Sequence, residues 1–297
     1  MTPQGAMAEY LAALTEQRRL SPHTLSAYRR DIEKLLHSAN ALPLQQLQGL
    51  HIRRFIAALH GGGLSPRSLA RVLSAWRGFF EWLGGRGLVS ANPCSGIRAP
   101  KAAKRLPKAL SVDEAAGLMN PPGVGSPVLE MRDTAMCELF YSSGLRLAEL
   151  MALNLADLSG ILSEGEVRVL GKRAKTRIVP VGQAARAALT AWAQYRHEVA
   201  KPDEPALFVN QRGRRIGARS IQRCLALRAQ ALGMGKHVHP HMLRHSFASH
   251  VLQSSGDLRA VQEMLGHGSI ASTQVYTHLD FQHVAGVYDR AHPRAKR

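Results

Sequence analysis

Apolar residues in the first third of the chain recur at spacings of three and four, the period of an amphipathic α-helix. The clearest run follows Ser65 and Pro66, a helix cap followed by proline at the first helical position. Its members are Leu69, Val72, Leu73, Trp76, Phe79, Phe80 and Leu83. Ser21 and Pro22 repeat the signature ahead of a second such run. Residues 1–96 are therefore predicted to form a small all-helical bundle.

The pattern changes after this bundle. Residues 97–106 are rich in basic side chains and lack apolar periodicity, which is typical of an interdomain linker. Residues 107–297 combine helical spacing with strand-like alternation. Helices are predicted at 128–141 and 145–158, with Leu155 on the apolar face of the second, and strands at 166–170 and 176–181. The fold class predicted is mostly α with a small β-sheet, in two domains.

The net charge of the chain indicates which class of molecule it binds. The chain has 39 Lys and Arg against 21 Asp and Glu, a net charge of +18. Up to residue 100, 12 basic minus 5 acidic residues give +7, and beyond it 27 minus 16 give +11. Both domains are therefore expected to meet one polyanion, such as nucleic acid. Arg67 and Arg71 lie off the apolar stripe of their helix, where they could meet phosphates or simply be solvated.

The expected cellular compartment follows from the cysteine pattern and from the start of the sequence. Cys94, Cys137 and Cys224 are odd in number and widely spaced, so a reduced cytosolic protein with small core cysteines is expected. Charged residues from Glu9 onward interrupt any long apolar run at the start of the chain, and neither a signal peptide nor a membrane span is predicted. We expect a soluble intracellular protein.

Two arginines are predicted near the starts of helices, where phosphate binding is favoured. Arg146 follows a glycine at the mouth of a helix, with Glu149 three residues on as a partner to orient its guanidinium. His241 and Arg244 lie three apart just after Pro240, which starts another helix. An imidazole beside a guanidinium suits phosphate binding and proton transfer. Each segment taken alone also fits an ordinary surface or salt-bridged arginine.

Three further residues could complete a phosphoryl-transfer site. Lys172 lies in the turn between the two predicted strands, where it could protonate a leaving alkoxide. Gly266 ends a helix and leaves His267 in a loop, and Tyr276 follows nine residues later. A phenol with a pKa near 10 is only about one part in a thousand ionised at pH 7, so it needs neighbouring cations to act as a nucleophile. A solubilising lysine and a buried tyrosine are the alternatives.

Together these segments resemble the tyrosine recombinase, or phage integrase, family and its Xer branch. The family's order of Arg, Lys, His-x-x-Arg, His and Tyr is met by Arg146, Lys172, His241, Arg244, His267 and Tyr276. The segments LSPHTLSAYRRDIE and HPHMLRHSFASHVLQSSGDLRAVQEMLGHGSIASTQVYTHLD extend the likeness over nearly the whole chain. Arg173 departs from the glycine common after the family's hairpin lysine, which leaves the geometry of that turn open.

The resemblance implies a two-domain DNA clamp. Residues 1–96 would be a SAM-like core-binding domain, 97–106 a linker, and 107–297 the catalytic domain. It also implies cleavage and rejoining of DNA through a 3′-phosphotyrosyl link at Tyr276, without ATP, metal or other cofactor. Whether His241 or His267 accepts the tyrosine proton stays open.

The resemblance further implies partners. These are a dif-like site in double-stranded DNA, a XerD-type recombinase in a two-plus-two heterotetramer, and an FtsK-type DNA translocase. The implied role is resolving chromosome dimers before cell division, in the cytoplasm at the nucleoid. In the tail, Phe281, Val284, Ala285 and Tyr288 are spaced for one helix face. This face is expected to dock on a neighbouring protomer, or alternatively to close the core of its own domain.

Other functions compete with this interpretation. Histidines crowd one segment, and His241 and His245 have the spacing of a zinc helix, but Met242 replaces the glutamate of a metallohydrolase motif. Arg244 on the same helix would also repel a dication. A phage- or plasmid-type integrase, a type IB topoisomerase and a DNA-binding protein without catalysis are the remaining alternatives.

Overall fold

The computed structural model describes residues 2–18, 20, 22–40, 42–101, 109–120, 123, 125–170, 176–266 and 278–295. The chain divides into two compact units, Met1–Arg105 and Leu106–Arg297. The predicted fold class, mostly helical with a small sheet and two domains, is confirmed. Within these described residues, none of the helices has both the length and the apolar character needed to cross a bilayer.

The described part of the first unit is a helical bundle. Its helices are α1 Pro3–Arg18, α2 Pro22–Ala39, α3 Gly49–Gly61 and α4 Pro66–Gly85, with a 3₁₀ turn at Leu44–Gln46. Helix α4 begins as predicted, because the Ser65 hydroxyl accepts a hydrogen bond from the Ser68 N–H at 3.2 Å. All seven members of its apolar run are buried. Trp76, at the centre of that run, donates its ring N–H to the Asp31 carbonyl at 2.6 Å.

The two arginines predicted to lie off this apolar stripe, Arg67 and Arg71, differ in their surroundings. Arg71 donates to the Asp31 carboxylate at 2.5 Å, and Asp31 is fully buried. A buried carboxylate needs such a partner, so Arg71 is engaged within the bundle. Arg67 is exposed. Both predicted phosphate contacts are therefore exposed to solvent, but the Arg71 side chain, 43% exposed, is already paired with Asp31.

The second unit mixes helices with one hairpin. Its described elements are α5 Val112–Met119, α6 Pro127–Ser143, α7 Leu147–Ala152, α8 Asp157–Glu164, β1 Glu166–Leu170, β2 Thr176–Pro180, α9 Gln183–Tyr195, a 3₁₀ turn Arg196–Glu198, α10 Ala218–Ala231, α11 Pro240–Ser255, α12 Leu258–Leu265 and α13 His278–Ala291. Strands β1 and β2 are antiparallel, with Val167 opposite Val179 and Val169 opposite Arg177. The predicted strands are confirmed.

The predicted helix 145–158 is wrong. Helix α7 ends at Ala152, and the chain then extends so that Asn154 forms an antiparallel bridge with Ala206. Leu155, predicted on the apolar face, is exposed. The Asp157 carboxylate accepts from the Asn154 N–H at 2.8 Å and begins a new helix, α8. Pairing with a segment about fifty residues away overrides the local helical spacing.

Helix α13 packs on its own domain. Buried residues of the tail are Val284, Val287, Tyr288, Ala291 and Ala295, and they share a core with Phe247, Val251, Ala260, Val261, Met264 and Leu265. The Tyr288 hydroxyl lies 2.7 Å from the Ser142 hydroxyl, and Arg294 forms an ion pair with Glu138. Phe281 and Ala285, predicted on the same face, have side chains outside the described residues. The alternative in which the tail closes its own core is the arrangement of this chain.

The three cysteines are all within the described residues, and each is free and buried. They are small core residues, as predicted.

Burial of His292, which belongs to this tail, predicts acid sensitivity. Burial lowers the pKa of His292 to about 3, with the Tyr141 backbone opposing the shift and His250 and Arg294 adding to it. The unfolded chain therefore takes up a proton below about pH 6.5 that the folded chain excludes, so stability is present above that pH and is lost as the pH falls. Burial also lowers the pKa of His250.

The acid sensitivity is testable with His292→Gln, which cannot titrate. The free energy of urea unfolding of the unmodified chain should fall by about 2 kcal/mol more than that of the variant between pH 7.5 and pH 5. An identical pH dependence for the two proteins would contradict the assignment to His292.

Candidate active site

A tight turn places Arg146. Gly144 ends α6 in the left-handed conformation with φ of 56°, and a Cβ there would lie 2.5 Å from the Phe247 ring. Glycine is therefore required both by the backbone and by the packing. Arg146 follows as the residue that precedes α7, as predicted, and its side chain is 26% exposed. Its side chain is thus partly accessible to solvent.

Glu149 holds this arginine. Its carboxylate accepts from the Arg146 side chain at 2.7 Å and from the Arg146 backbone N–H at 2.7 Å. Burial alone would raise the pKa of Glu149, but hydrogen bonds from Arg177 and from the Arg146 backbone outweigh it and lower the pKa to about 2. Glu149 is therefore ionised at neutral pH. The predicted role of Glu149 as the partner of Arg146 is confirmed.

A second arginine, Arg177, binds the same carboxylate and was missed by the sequence analysis. It lies on β2, 6% exposed, and donates to both oxygens of Glu149 at 2.6 and 2.8 Å. Its Nε donates to the Met264 carbonyl at 3.0 Å. The signal was present in the sequence, because Arg177 alternates with Val179 and so falls on the inward face of the predicted strand. A cation on that face must have a buried partner.

Helix α11 carries His241 and Arg244. The His239 ring accepts from the Met242 N–H at 3.3 Å and Pro240 is the first helical residue, so the helix begins as predicted. His241, in the first turn, is exposed. Arg244, three residues later, is 8% exposed and donates to the Gly144 and Leu265 carbonyls, each at 2.5 Å. Arg244 thus joins the turn before Arg146 to the end of α12.

The carboxyl-terminal end of α12 is where the arginines meet. Arg146 donates to the Leu265 and Gly266 carbonyls, each at 3.1 Å, and Arg244 donates to the same Leu265 carbonyl. These last carbonyls carry the negative partial charge of the helix end, which suits cations. Two of the six predicted site residues therefore share one acceptor, although 98 positions separate them in the sequence.

The assembled group carries excess positive charge. Three guanidiniums, Arg146, Arg177 and Arg244, face one carboxylate, Glu149, which leaves two positive charges. Burial, followed by the repulsion of Arg146 and Arg177, lowers the pKa of Arg244 to about 10. Arg244 therefore stays protonated at neutral pH. A partly exposed cluster of this kind is suited to a phosphate, whose oxygens accept from guanidinium forks.

The other predicted site residues lie outside the described residues. They are Lys172, His267 and Tyr276. Lys172 is two positions beyond the end of β1, His267 follows Gly266 directly, and Tyr276 is two positions before the start of α13. Their membership of the site stays a prediction, and so does the turn geometry at Arg173.

The histidines of the crowded segment have separate environments. The His239 ring caps α11, while His250 is buried with its ring nitrogen 2.8 Å from the Tyr141 hydroxyl. Over the ranges that the structure describes, no three His, Cys, Asp or Glu side chains are grouped to hold a metal ion. The zinc-helix alternative gains no support from this part of the chain.

Known proteins match this chain over both units. Residues 108–283 match the phage integrase family, and residues 7–87 match the N-terminal SAM-like domain of phage integrases. The tyrosine recombinase XerC of Ralstonia pickettii is 53% identical over 316 residues, covering 99% of this chain and 95% of that protein. The tyrosine recombinase XerC of Stutzerimonas stutzeri is 51% identical over 300 residues, covering 99% and 98%.

A solved structure has the same fold. It is the XerH site-specific recombinase bound to a palindromic difH substrate in a post-cleavage complex, with a TM-score of 0.67 and 21% identity. The match covers 95% of this chain and 84% of that one.

Proposed function

Because this chain belongs to the phage integrase family, as a tyrosine recombinase similar to XerC, we propose that it exchanges DNA strands at a dif-like chromosomal site. The predicted family and reaction class are confirmed: tyrosine recombinases cleave and rejoin DNA with neither ATP nor a metal ion. The finer proposal adds a XerD-type partner in a two-plus-two tetramer, an FtsK-type translocase that controls it, and resolution of chromosome dimers in the cytoplasm at the nucleoid.

One observation carries the assignment of the site. Arg146 and Arg244 converge on the Leu265 carbonyl, in a cluster with two uncompensated positive charges. The scissile phosphodiester carries one negative charge and gains a second as the tyrosine oxygen adds to form the pentavalent state, and prearranged guanidiniums stabilise that state. We place the non-bridging oxygens of the phosphate against Arg146 and Arg244.

The cleavage step follows from this placement. The Tyr276 oxygen attacks phosphorus, the bond from phosphorus to the 5′-oxygen breaks, and a 3′-phosphotyrosyl link forms. Lys172 protonates the leaving 5′-oxygen, and His267 donates a hydrogen bond to the phosphate. The tyrosine proton passes to His241 or His267. His241 is exposed at the first turn of α11, where a helix amino terminus favours an anion nearby.

Rejoining reverses these steps. The 5′-hydroxyl of a partner strand attacks the phosphotyrosine, and Tyr276 leaves. One phosphodiester bond is exchanged for one phosphotyrosine bond and back again, so no external energy source is consumed. The arginines supply the charge that Mg²⁺ supplies in many other phosphoryl-transfer enzymes.

A basic strip on the second unit extends the proposed DNA surface. Arg219 and Arg223 lie one turn apart on α10 and are exposed, as are Arg212 and Arg214 just before it. The opposite side of α10 is buried, so the helix turns its arginines outward. We propose that this strip contacts DNA phosphates.

Salt dependence tests the strip. Arg219→Ala and Arg223→Ala should each weaken DNA binding and each lower the slope of log Kd against log salt by about 1. Arg86→Ala is the matched control, since Arg86 is paired with Glu9 at 2.8 Å in the first unit. Slopes for the α10 variants that equal the control slope would contradict the proposed contacts.

Exchange of the tail between protomers is compatible with its position in the single chain. The groove that receives Val284 and Tyr288 is present on every protomer, so the same contacts can form with a neighbour's tail at little net cost. We propose such an exchange in the assembled tetramer. Deleting 281–297 is a poor test of it, because the deletion would also uncover the core that the tail closes.

Mapping and reconstitution test the finer function. We expect the protein to occupy one half of a single chromosomal site and to recombine two copies of that site only when a second recombinase occupies the other half. Efficient recombination by this protein alone, between identical half-sites, would favour the integrase alternative. Relaxation of supercoiled DNA without strand exchange would favour the topoisomerase.

A further inference from the structure

Arg177 occupies a position that ordinarily suits an apolar residue. It lies opposite Val169 in the hairpin register, and Val169 is buried. Val179, two residues beyond Arg177 on β2, is also buried. A buried guanidinium is costly unless its donors are satisfied in good geometry. Packing alone therefore does not explain why a guanidinium, that of Arg177, lies on the buried face of the hairpin.

Three separate elements meet at this guanidinium. Arg177 belongs to β2, its two-pronged contact with Glu149 reaches α7, and its Nε binds Met264 near the end of α12. A fork-to-fork contact fixes both the position and the orientation of a carboxylate. Arg177 thus fixes the carboxylate of Glu149, which also binds Arg146.

The same carboxylate oxygens serve both arginines. One oxygen of Glu149 accepts from the side chains of Arg146 and Arg177, and the other accepts from the Arg146 backbone and from Arg177. Without Arg177, the carboxylate would keep one guanidinium donor and one backbone donor, both from Arg146. The direction of the Arg146 fork therefore depends on Arg177.

Packing at Gly266 supports the same coupling. A Cβ on Gly266 would lie 2.9 Å from the Cδ of Arg177, and the Gly266 carbonyl accepts from Arg146. The helix end is thus close to both Arg177 and Arg146. Gly266 is followed in the sequence by His267, another of the proposed site residues.

From these contacts we infer that Arg177 is a positioning residue for strand cleavage, acting through Glu149 to aim Arg146 at the scissile phosphate. This inference rests on the proposed function, in which Arg146 binds that phosphate. Arg177 itself is buried and is not assigned contact with DNA.

The test measures the rate of covalent attachment to a nicked DNA substrate at saturating protein. Arg177→Met should slow attachment by about 100-fold, because a small misplacement of a positioning group has effects of that order, while DNA affinity changes by less than about threefold. Arg177→Lys keeps the charge without the forked pair of donors. Its attachment rate should fall between the rates of Arg177→Met and the unmodified protein. The lysine variant also serves if the methionine variant does not fold.

A second substrate separates positioning from simple loss of structure. It carries a methyl group in place of one non-bridging oxygen of the scissile phosphate and so lacks the charge that Arg146 balances. On this neutral substrate, the deficits of Arg177→Met and Arg146→Ala should both shrink to less than about fivefold. The double variant should be no slower on the natural phosphate than Arg146→Ala alone.

Arg132→Met is the matched control. Arg132 is also a buried arginine of the second unit, bound to the Asp133 carboxylate and to the Val209 carbonyl at 2.9 Å. Its variant should attach at the normal rate on both substrates. Equal deficits of Arg177→Met on the two substrates, or additivity with Arg146→Ala, would overturn the inference. A normal rate for Arg146→Ala would overturn the proposed phosphate contact instead.

Discussion

Tyr276→Phe is expected to lose all covalent attachment to a nicked DNA substrate while retaining DNA affinity. The substitution removes only the oxygen that forms the bond to phosphorus, and a phenyl ring has no other nucleophile. Denaturing gels should show no protein–DNA band at any time, against near-complete attachment of the unmodified protein. Gel shifts under native conditions should give Kd values within about twofold of each other.

Tyr288→Phe is the control for this substitution. Tyr288 is the other tyrosine near the end of the chain, and it is buried with its hydroxyl against Ser142. Burial raises the pKa of Tyr288, which makes it a poor nucleophile. Its variant should still attach to DNA. Attachment by Tyr276→Phe together with loss in Tyr288→Phe would show that the nucleophile is misassigned.

Arg244→Ala should slow attachment by about 100- to 1000-fold, the effect of removing one donor to a developing oxyanion. It should also destabilise the domain. The Leu265 carbonyl would keep Arg146 as a donor, but the Gly144 carbonyl would lose the donor Arg244, and an unsatisfied buried group costs about 1–3 kcal/mol. Attachment rates and the free energy of urea unfolding measure the two effects separately.

Arg196→Ala separates stability from catalysis. Arg196 is likewise buried and donates to backbone carbonyls, among them Ala206 at 2.6 Å and Glu204 at 2.6 Å, none of which belongs to the proposed site. Its variant should lose comparable stability yet attach to DNA at the normal rate below its unfolding temperature. If Arg244→Ala and Arg196→Ala lost attachment rate in the same proportion to their loss of unfolding free energy, Arg244 would have only a structural role.

Local signals explain why much of the fold could be predicted. A Ser-Pro pair and an unbroken apolar stripe specify α4 within its own twenty residues, because caps and burial act over single turns. The turn at Gly144 likewise places Arg146 by backbone geometry alone. Arg146, Glu149 and the start of α11 were therefore accessible from the sequence.

Features that depend on distant contacts were not accessible in the same way. The end of α7 is determined by a bridge between Asn154 and Ala206, and the partner of Arg177 comes from another element. Periodicity records which side of an element is buried, not what covers it. The tail shows this most clearly: its spacing predicted an apolar face and left open whether that face belongs to its own domain or to a neighbour.

The proposed mechanism is tested most directly by locating the covalent bond to DNA. After attachment to nicked DNA, nuclease treatment and trypsin digestion, mass spectrometry should find the nucleotide on the peptide of residues 260–290, joined to Tyr276 through a 3′-phosphate. Fragment ions distinguish Tyr276 from Tyr288 in that peptide. A nucleotide on any other residue, or a link through a 5′-phosphate, would contradict the proposed convergence of Arg146, Arg244 and Tyr276 on one phosphate.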